Sequence, residues 1–195
     1  MPIESTTREL NVFRSHWWTN FFKIAQVGLR ILVTGFSAIS IATMLTSNQE
    51  IYMPYESTYI AVAKAHYSYS SGLWYKLLVD ALLGVFSLVS SIPAYKMMKF
   101  SDHTEPKTTH HFFLLLVDGV MTVLTISGCS AASAVGLVAL RGVEKPGISW
   151  TPICPLAGKF CRMVTVSIAS SYAAFTCMTA LTFLSSCKLM LLATR

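Results

Sequence analysis

Arg30 and Asp118 are the residues whose placement most demands a chemical explanation, because each is an ionised group set inside a long apolar run. A charge held in hydrocarbon costs about 2.5–3.5 kcal/mol or more unless it finds a partner. Arg30 lies about nine residues past Phe21 and Asp118 about six past Phe112, so at about 1.5 Å per helical residue both sit about 9–14 Å below the same edge. Equal depth and opposite sign predict that they neutralise one another. Such a pair can clamp two helices in register, or it can serve an ion or proton relay, which needs further groups. Asp80, at a different depth, is expected to face an outer aqueous crevice or to bond a neighbouring hydroxyl, and Lys76, one turn away, is its simplest partner.

The five cysteines divide by position. Cys154 and Cys161 share the last loop, on the side read as non-cytosolic, where an oxidising compartment favours a disulfide between them. Their spacing is not the Cys-x-x-Cys of a thiol oxidoreductase. Cys129, Cys177 and Cys187 read as small buried residues, with Cys187 an alternative site for palmitate. His103, His110 and His111 cluster before the third apolar run, but without regularly spaced Cys or carboxylate partners they read as a solvated turn, and no metal is expected. No nucleotide loop, nucleophile elbow or catalytic carboxylate pair is present, so neither an enzymatic activity nor a cofactor is expected.

The elements that must hold these residues are four apolar runs, about 21–45, 72–94, 112–140 and 164–192, each long enough to cross about 30 Å of hydrocarbon as a helix. Residues 1–20 form a polar tail ending in Trp17-Trp18, where indoles favour the headgroup boundary. Residues 46–71 are too polar to span, and Pro93 is expected to close the second helix. Small residues recur every four positions at Gly128, Ala132 and Gly136, and again at Ala169 and Ala173. That spacing lets helix backbones approach closely, either inside the bundle or between protomers.

Composition agrees with a membrane setting. Of the 195 residues 53% are hydrophobic and only 12% charged, with a mean hydropathy of +0.55, values far from those of a soluble domain. The net charge of +6 is not gathered into a stripe, so headgroups and topology explain it better than nucleic acid does. Lys and Arg near the span ends number eight on the terminal side and five on the other, which favours cytosolic N- and C-termini. The fold class expected is all-α, an integral membrane bundle of four transmembrane helices over residues 21–195.

One stretch is specific. Trp150-Thr151-Pro152-Ile153-Cys154, then Lys159-Phe160-Cys161, runs into Ala169-Ser170-Ser171-Tyr172-Ala173-Ala174-Phe175. With an Arg in the first span and an Asp in the third, with Thr46-Ser47-Asn48-Gln49, and with Ala63-Lys64-Ala65-His66-Tyr67-Ser68, it resembles the plant Casparian strip membrane domain protein-like family, relatives of the MARVEL four-span proteins. The resemblance implies paired intramembrane charges at Arg30 and Asp118 and an outer-loop motif of Trp150, Pro152 and Phe160 with the Cys154 and Cys161 pair. It also implies a non-enzymatic plasma-membrane scaffold that self-associates, as a homo-oligomer or with other family members, among membrane lipids, and recruits cell-wall-modifying partners. Tyr55-Glu56-Ser57-Thr58-Tyr59 departs from the founding strip-forming members, which carry an acid and paired Phe there.

Two other classes compete with a scaffold. A small channel or transporter would draw a polar path through Arg30, Asp80 and Asp118. A membrane redox enzyme would cycle Cys154 and Cys161.

Overall fold

A computed structural model describes residues 3–55, 58–99, 108–145 and 148–193. Four helices dominate it: α1 (Ile3–Leu45), α2 (Ser71–Lys99), α3 (Thr108–Arg141) and α4 (Gly158–Ala193). Each contains a segment long and apolar enough to cross a membrane: Ile24–Leu45, Ser71–Ile92, Phe112–Arg141 and Gly158–Met190. A helix satisfies its backbone polar groups within its own segment, which is why single apolar runs take that form in hydrocarbon.

Three boundaries differ from the sequence reading. Residues 3–20 are helical and continuous with the first span. The second helix runs on to Lys99 instead of stopping at Pro93, since a proline deletes one backbone donor and membrane helices tolerate that loss. The fourth begins at Gly158, six positions before the expected start at 164. Its first turns carry Lys159 and Arg162, both exposed, and these hide the helix from a hydropathy count.

The loops also hold structure that composition did not disclose. Between α1 and α2 an antiparallel hairpin pairs β1 (Gln49–Tyr55) with β2 (Thr58–Ala65), from Gln49 opposite Ala65 to Tyr55 opposite Thr58, with a shift of register between Ile51 and Tyr52. Between α3 and α4 a shorter hairpin pairs β3 (Val143–Lys145) with β4 (Ile148–Trp150). Gly142 makes the turn out of α3 with φ +67°, a region that L side chains rarely enter. A Cβ there would lie 2.5 Å from the Trp150 carbonyl oxygen and 3.1 Å from Pro152 Cδ. The Gln49 side-chain oxygen accepts from the Phe160 backbone N–H at 3.0 Å and so ties the first loop to the start of α4.

The helices form a ring in which α1 packs on α2 and α4, and α3 packs on α2 and α4, leaving α1 opposite α3 and α2 opposite α4. Two apolar clusters fill it. One gathers Val33, Leu83, Met121, Ala174, Met178 and Leu181; the other, nearer the hairpins, gathers Met44, Leu73, Leu77, Ala132 and Val164. The outer surface of α2 is a band of exposed Leu78, Leu82, Val85, Leu88, Val89 and Ile92, as expected of a helix solvated by acyl chains rather than water.

Candidate functional site: two buried charge centres

Arg30 of α1 and Asp118 of α3 are 1% and 0% exposed, and their Nη2 and Oδ2 atoms are 2.8 Å apart. The guanidinium has a second partner that the sequence reading did not include. Its Nη1 donates to Ser90 Oγ of α2 at 2.5 Å, and Ser90 donates onward to the Phe86 carbonyl at 2.7 Å. The Phe86 ring lies 5.9 Å from Arg30 Cζ, near enough for a cation–π attraction in a site without water screening. This centre therefore joins three helices and crosses the bundle diagonal.

Asp80 lies in a second centre, and no aqueous crevice surrounds it: the residue is 1% exposed, as is Lys76. Lys76 Nζ donates to Asp80 Oδ2 at 2.7 Å, Ser40 Oγ at 2.6 Å and Ser167 Oγ at 2.8 Å, which uses all three ammonium protons. The carboxylate also accepts from Ser40 Oγ at 2.6 Å and from Ser171 Oγ at 2.9 Å. A charge taken from water must recover its lost hydrogen bonds, and here three serines from α1 and α4 replace the solvent that a crevice would have supplied. The sequence does not single out Ser40, Ser167, Ser171 or Ser90 as partners of the buried charges, because serine is common in polar and apolar contexts alike. The available signal was their placement: Ser167 and Ser171 stand one turn apart on one face of α4.

Ten residues separate Arg30 from Ser40 on α1, and ten separate Asp80 from Ser90 on α2, so the centres lie about 15 Å apart along the bundle. The apolar cluster of Val33, Leu83, Met121, Ala174 and Met178 occupies the interval. Two buried hydroxyls, Ser37 and Ser87, also lie there without hydrogen-bond partners, as does Oδ1 of Asp118 at the edge of its centre.

The small-residue positions separate. A Cβ on Gly128 would stand 3.5 Å from Lys76 Cα and one on Gly136 3.8 Å from Ile168 Cδ1, while Ala132 is fully buried in the second cluster. The α3 stripe thus lets α2 and α4 close upon it. On α4, Ala173 is half-buried and Ala169 exposed.

Cys154 in the last loop and Cys161, which the structure places in the first turn of α4 and not in the loop, form a disulfide with a Cα–Cα distance of 5.6 Å. The Ile153 and Cys154 backbone N–H groups both donate to the Ala139 carbonyl, folding the loop back onto the end of α3. Phe160 packs against the second cluster, whereas Trp150 is 62% exposed and Pro152 is also exposed. Cys129 is buried, and Cys177 and Cys187 are half-buried free thiols. The side chains of His103, His110 and His111 lie outside the described residues.

The family profile of the Casparian strip membrane protein domain matches residues 19–177. CASP-like protein 1F2 of Ricinus communis is 39% identical over 168 residues, covering 86% of this chain and 79% of its own. CASP-like protein 1F3 of Populus trichocarpa is 36% identical over 171 residues, covering 88% and 83%. CASP-like protein 1F1 of Ricinus communis is 34% identical over 164 residues, covering 84% and 86%. No solved structure matches the chain. With four membrane-spanning helices and a domain match over most of its length, this multi-pass membrane protein belongs to the Casparian strip membrane protein family.

Proposed function

We propose that this protein is a non-enzymatic scaffold of the plasma membrane, with cytosolic termini, that self-associates into membrane domains and presents its hairpins and disulfide-closed loop to cell-wall-modifying partners. The observation that carries this reading is the internal neutralisation of both charge centres with an apolar layer between them. A transport path needs ionisable groups that water can reach in sequence. Here the described ion pairs of the spans are 0–2% exposed, and a packed apolar cluster lies between them. Such an interior suits a rigid building block better than a conduit. Family membership and the relatives' shared name support the membrane setting.

Particle mass in mild detergent and in nanodiscs tests the reading. Assemblies larger than the 21.5 kDa chain are expected; a strictly monomeric particle in both media overturns self-association. Ion flux through protein-containing liposomes, if it rose above that of empty ones, would favour the channel.

A further inference from the structure

Contacts between the helices set a common depth scale along the bundle. Arg30 meets Asp118, which puts Ile24 level with Phe112. A Cβ on Gly72 would lie 3.3 Å from the Ala131 carbonyl oxygen and 3.0 Å from Val135 Cγ2, and counting on along α2 puts Ile92 level with Phe113. Ser133 shares a hydrogen bond with Tyr172 at 3.2 Å, which puts Met190 level with Leu115. On the side of the termini the four apolar segments therefore end within about 5 Å of one level. At the hairpin end they do not. The segments of α1 and α2 hold 22 residues each and stop at Leu45 and Ser71, level with Ser133 and Ala134, whereas those of α3 and α4 hold 30 and 33 and continue to Arg141 and Gly158. The third helix thus rises about 12 Å beyond the first two. The added height is apolar and turned outward: Leu137 and Leu140 of α3 and Val166 of α4 are exposed, as are Ile153 and Leu156 of the loop that the Ala139 carbonyl holds at this level. Its upper limit is basic, with Arg141 and Arg162 exposed on the two helices at nearly one depth. On α1 the polar boundary comes at once, with exposed Thr46 and Asn48 directly after Leu45.

We propose that the α3 and α4 side of the molecule is a seat for long-chain phospholipid, holding a hydrocarbon layer thicker than the one beside α1 and α2, with Arg141 and Arg162 meeting its phosphate groups. The short segments measure about 33 Å and that of α3 about 45 Å, against about 30 Å of hydrocarbon in an ordinary bilayer. A long segment commonly relieves such a mismatch by tilting. Here α3 cannot tilt alone, because Asp118, Ala131 with Val135, and Ser133 fasten it to α1, α2 and α4 in turn. Tilting the whole bundle would instead drive its level end out of register with the opposite headgroups. The remaining response is a thicker bilayer on one side, which longer acyl chains supply without being stretched. Cations at the limit of the tall side suit phosphates, and their long side chains bridge what gap is left. This inference deepens the scaffold reading and rests on its membrane setting: each protomer would have a thick and a thin side and would gather different lipid on each.

Full-length protein reconstituted at high lipid excess into phosphatidylcholine vesicles with myristoleoyl, oleoyl or erucoyl chains, in order of increasing length, tests it. In a Cys129→Ala, Cys177→Ala, Cys187→Ala background, the single thiol of Leu140→Cys or of Leu45→Cys is reacted with a membrane-impermeant maleimide. In erucoyl vesicles position 140 is expected to label as slowly as position 45, and in myristoleoyl vesicles about tenfold faster than in erucoyl ones, with a smaller change at position 45. A ratio of the two rates that does not depend on chain length, or labelling at position 140 in erucoyl vesicles as fast as that of a thiol in water, overturns the proposal. Thermal unfolding supplies a second readout: wild type should be most stable in erucoyl lipid, and Leu137→Gln with Leu140→Gln, both exposed positions, should move the optimum to oleoyl. The same optimum for both proteins also overturns it. Protection of position 140 that grows with protein density would assign the tall side to a contact between protomers and not to lipid. Oligomer mass is measured apart from these rates, so a chain that assembles without sensing chain length sinks this inference alone, and a monomer that senses it sinks self-association alone.

Discussion

Arg30 and Asp118 meet across the diagonal of the bundle, from α1 to α3, at 2.8 Å. Because α1 and α3 are not neighbours in the ring, this contact does what packing alone cannot: it fixes the separation of opposite helices. Asp118→Ala strands a buried guanidinium and is expected to destabilise the bundle by about 3–5 kcal/mol, whereas the double variant Arg30→Met with Asp118→Leu should cost less. Thermal unfolding of the three proteins in nanodiscs measures the difference, and equal losses would show that the charge is not what holds the diagonal.

The second centre ties the other diagonal, α2 to α4, through Lys76 with Ser167 and Asp80 with Ser171. Ser171→Ala leaves Asp80 with one donor fewer in a buried site and should cost about 1–3 kcal/mol. Lys76→Ala should cost more, because it leaves a whole charge unpaired. Denaturant unfolding in detergent micelles ranks the two; a Ser171→Ala protein less stable than Lys76→Ala contradicts the assignment.

How much of this was legible depended on whether a residue type is rare in lipid. An Arg and an Asp in apolar runs stand out, and counting inward from the span edges puts them at one depth; the structure places them in contact. Serines do not stand out, so although Lys76 and a neighbouring hydroxyl are legible as partners of Asp80, which of the two readings of Asp80 holds, crevice or hydroxyl, and which serines supply the hydroxyls, are not; the structure shows the Lys76 pairing and the hydroxyls. Helix existence followed from run length, but the ends did not: Lys159 and Arg162 lower the hydropathy of a segment that is already helical, and Pro93 marks no stop. The hairpin from Gln49 to Ala65 is not legible from composition, because polarity excludes a span without saying what takes its place. Which partner lines Arg30 besides Asp118 required tertiary contacts that no spacing rule encodes.

Gly142 is the position where substitution should act through the backbone. With φ +67° and the Trp150 oxygen 2.5 Å from the site of an added Cβ, Gly142→Ala should displace β4 from the end of α3 and cost at least the 1–3 kcal/mol typical of a strained backbone. Faster proteolysis of the last loop in sealed vesicles would report it, and an unchanged digestion rate would argue against the contact.

The Cys154–Cys161 bridge has a sequence separation of 7, short enough that loop-closure entropy gives about 2–3 kcal/mol of stabilisation. Cys161→Ser should lower the unfolding midpoint without dissociating the four helices, since the bridge lies outside both charge centres. Circular dichroism and maleimide labelling of the freed Cys154 check the two halves of that expectation.

Lys76 and Asp80 sit four apart on one helix, whereas 88 positions separate Arg30 from Asp118. During synthesis the first couple can therefore cancel within a single segment as soon as that segment coils, and it enters the lipid already neutral. The cation of the opening segment has no such companion at hand. It must wait at the insertion machinery, or at the bilayer edge, until the third segment emerges, which makes the arrival of Asp118 the event that commits the nascent chain to its final arrangement.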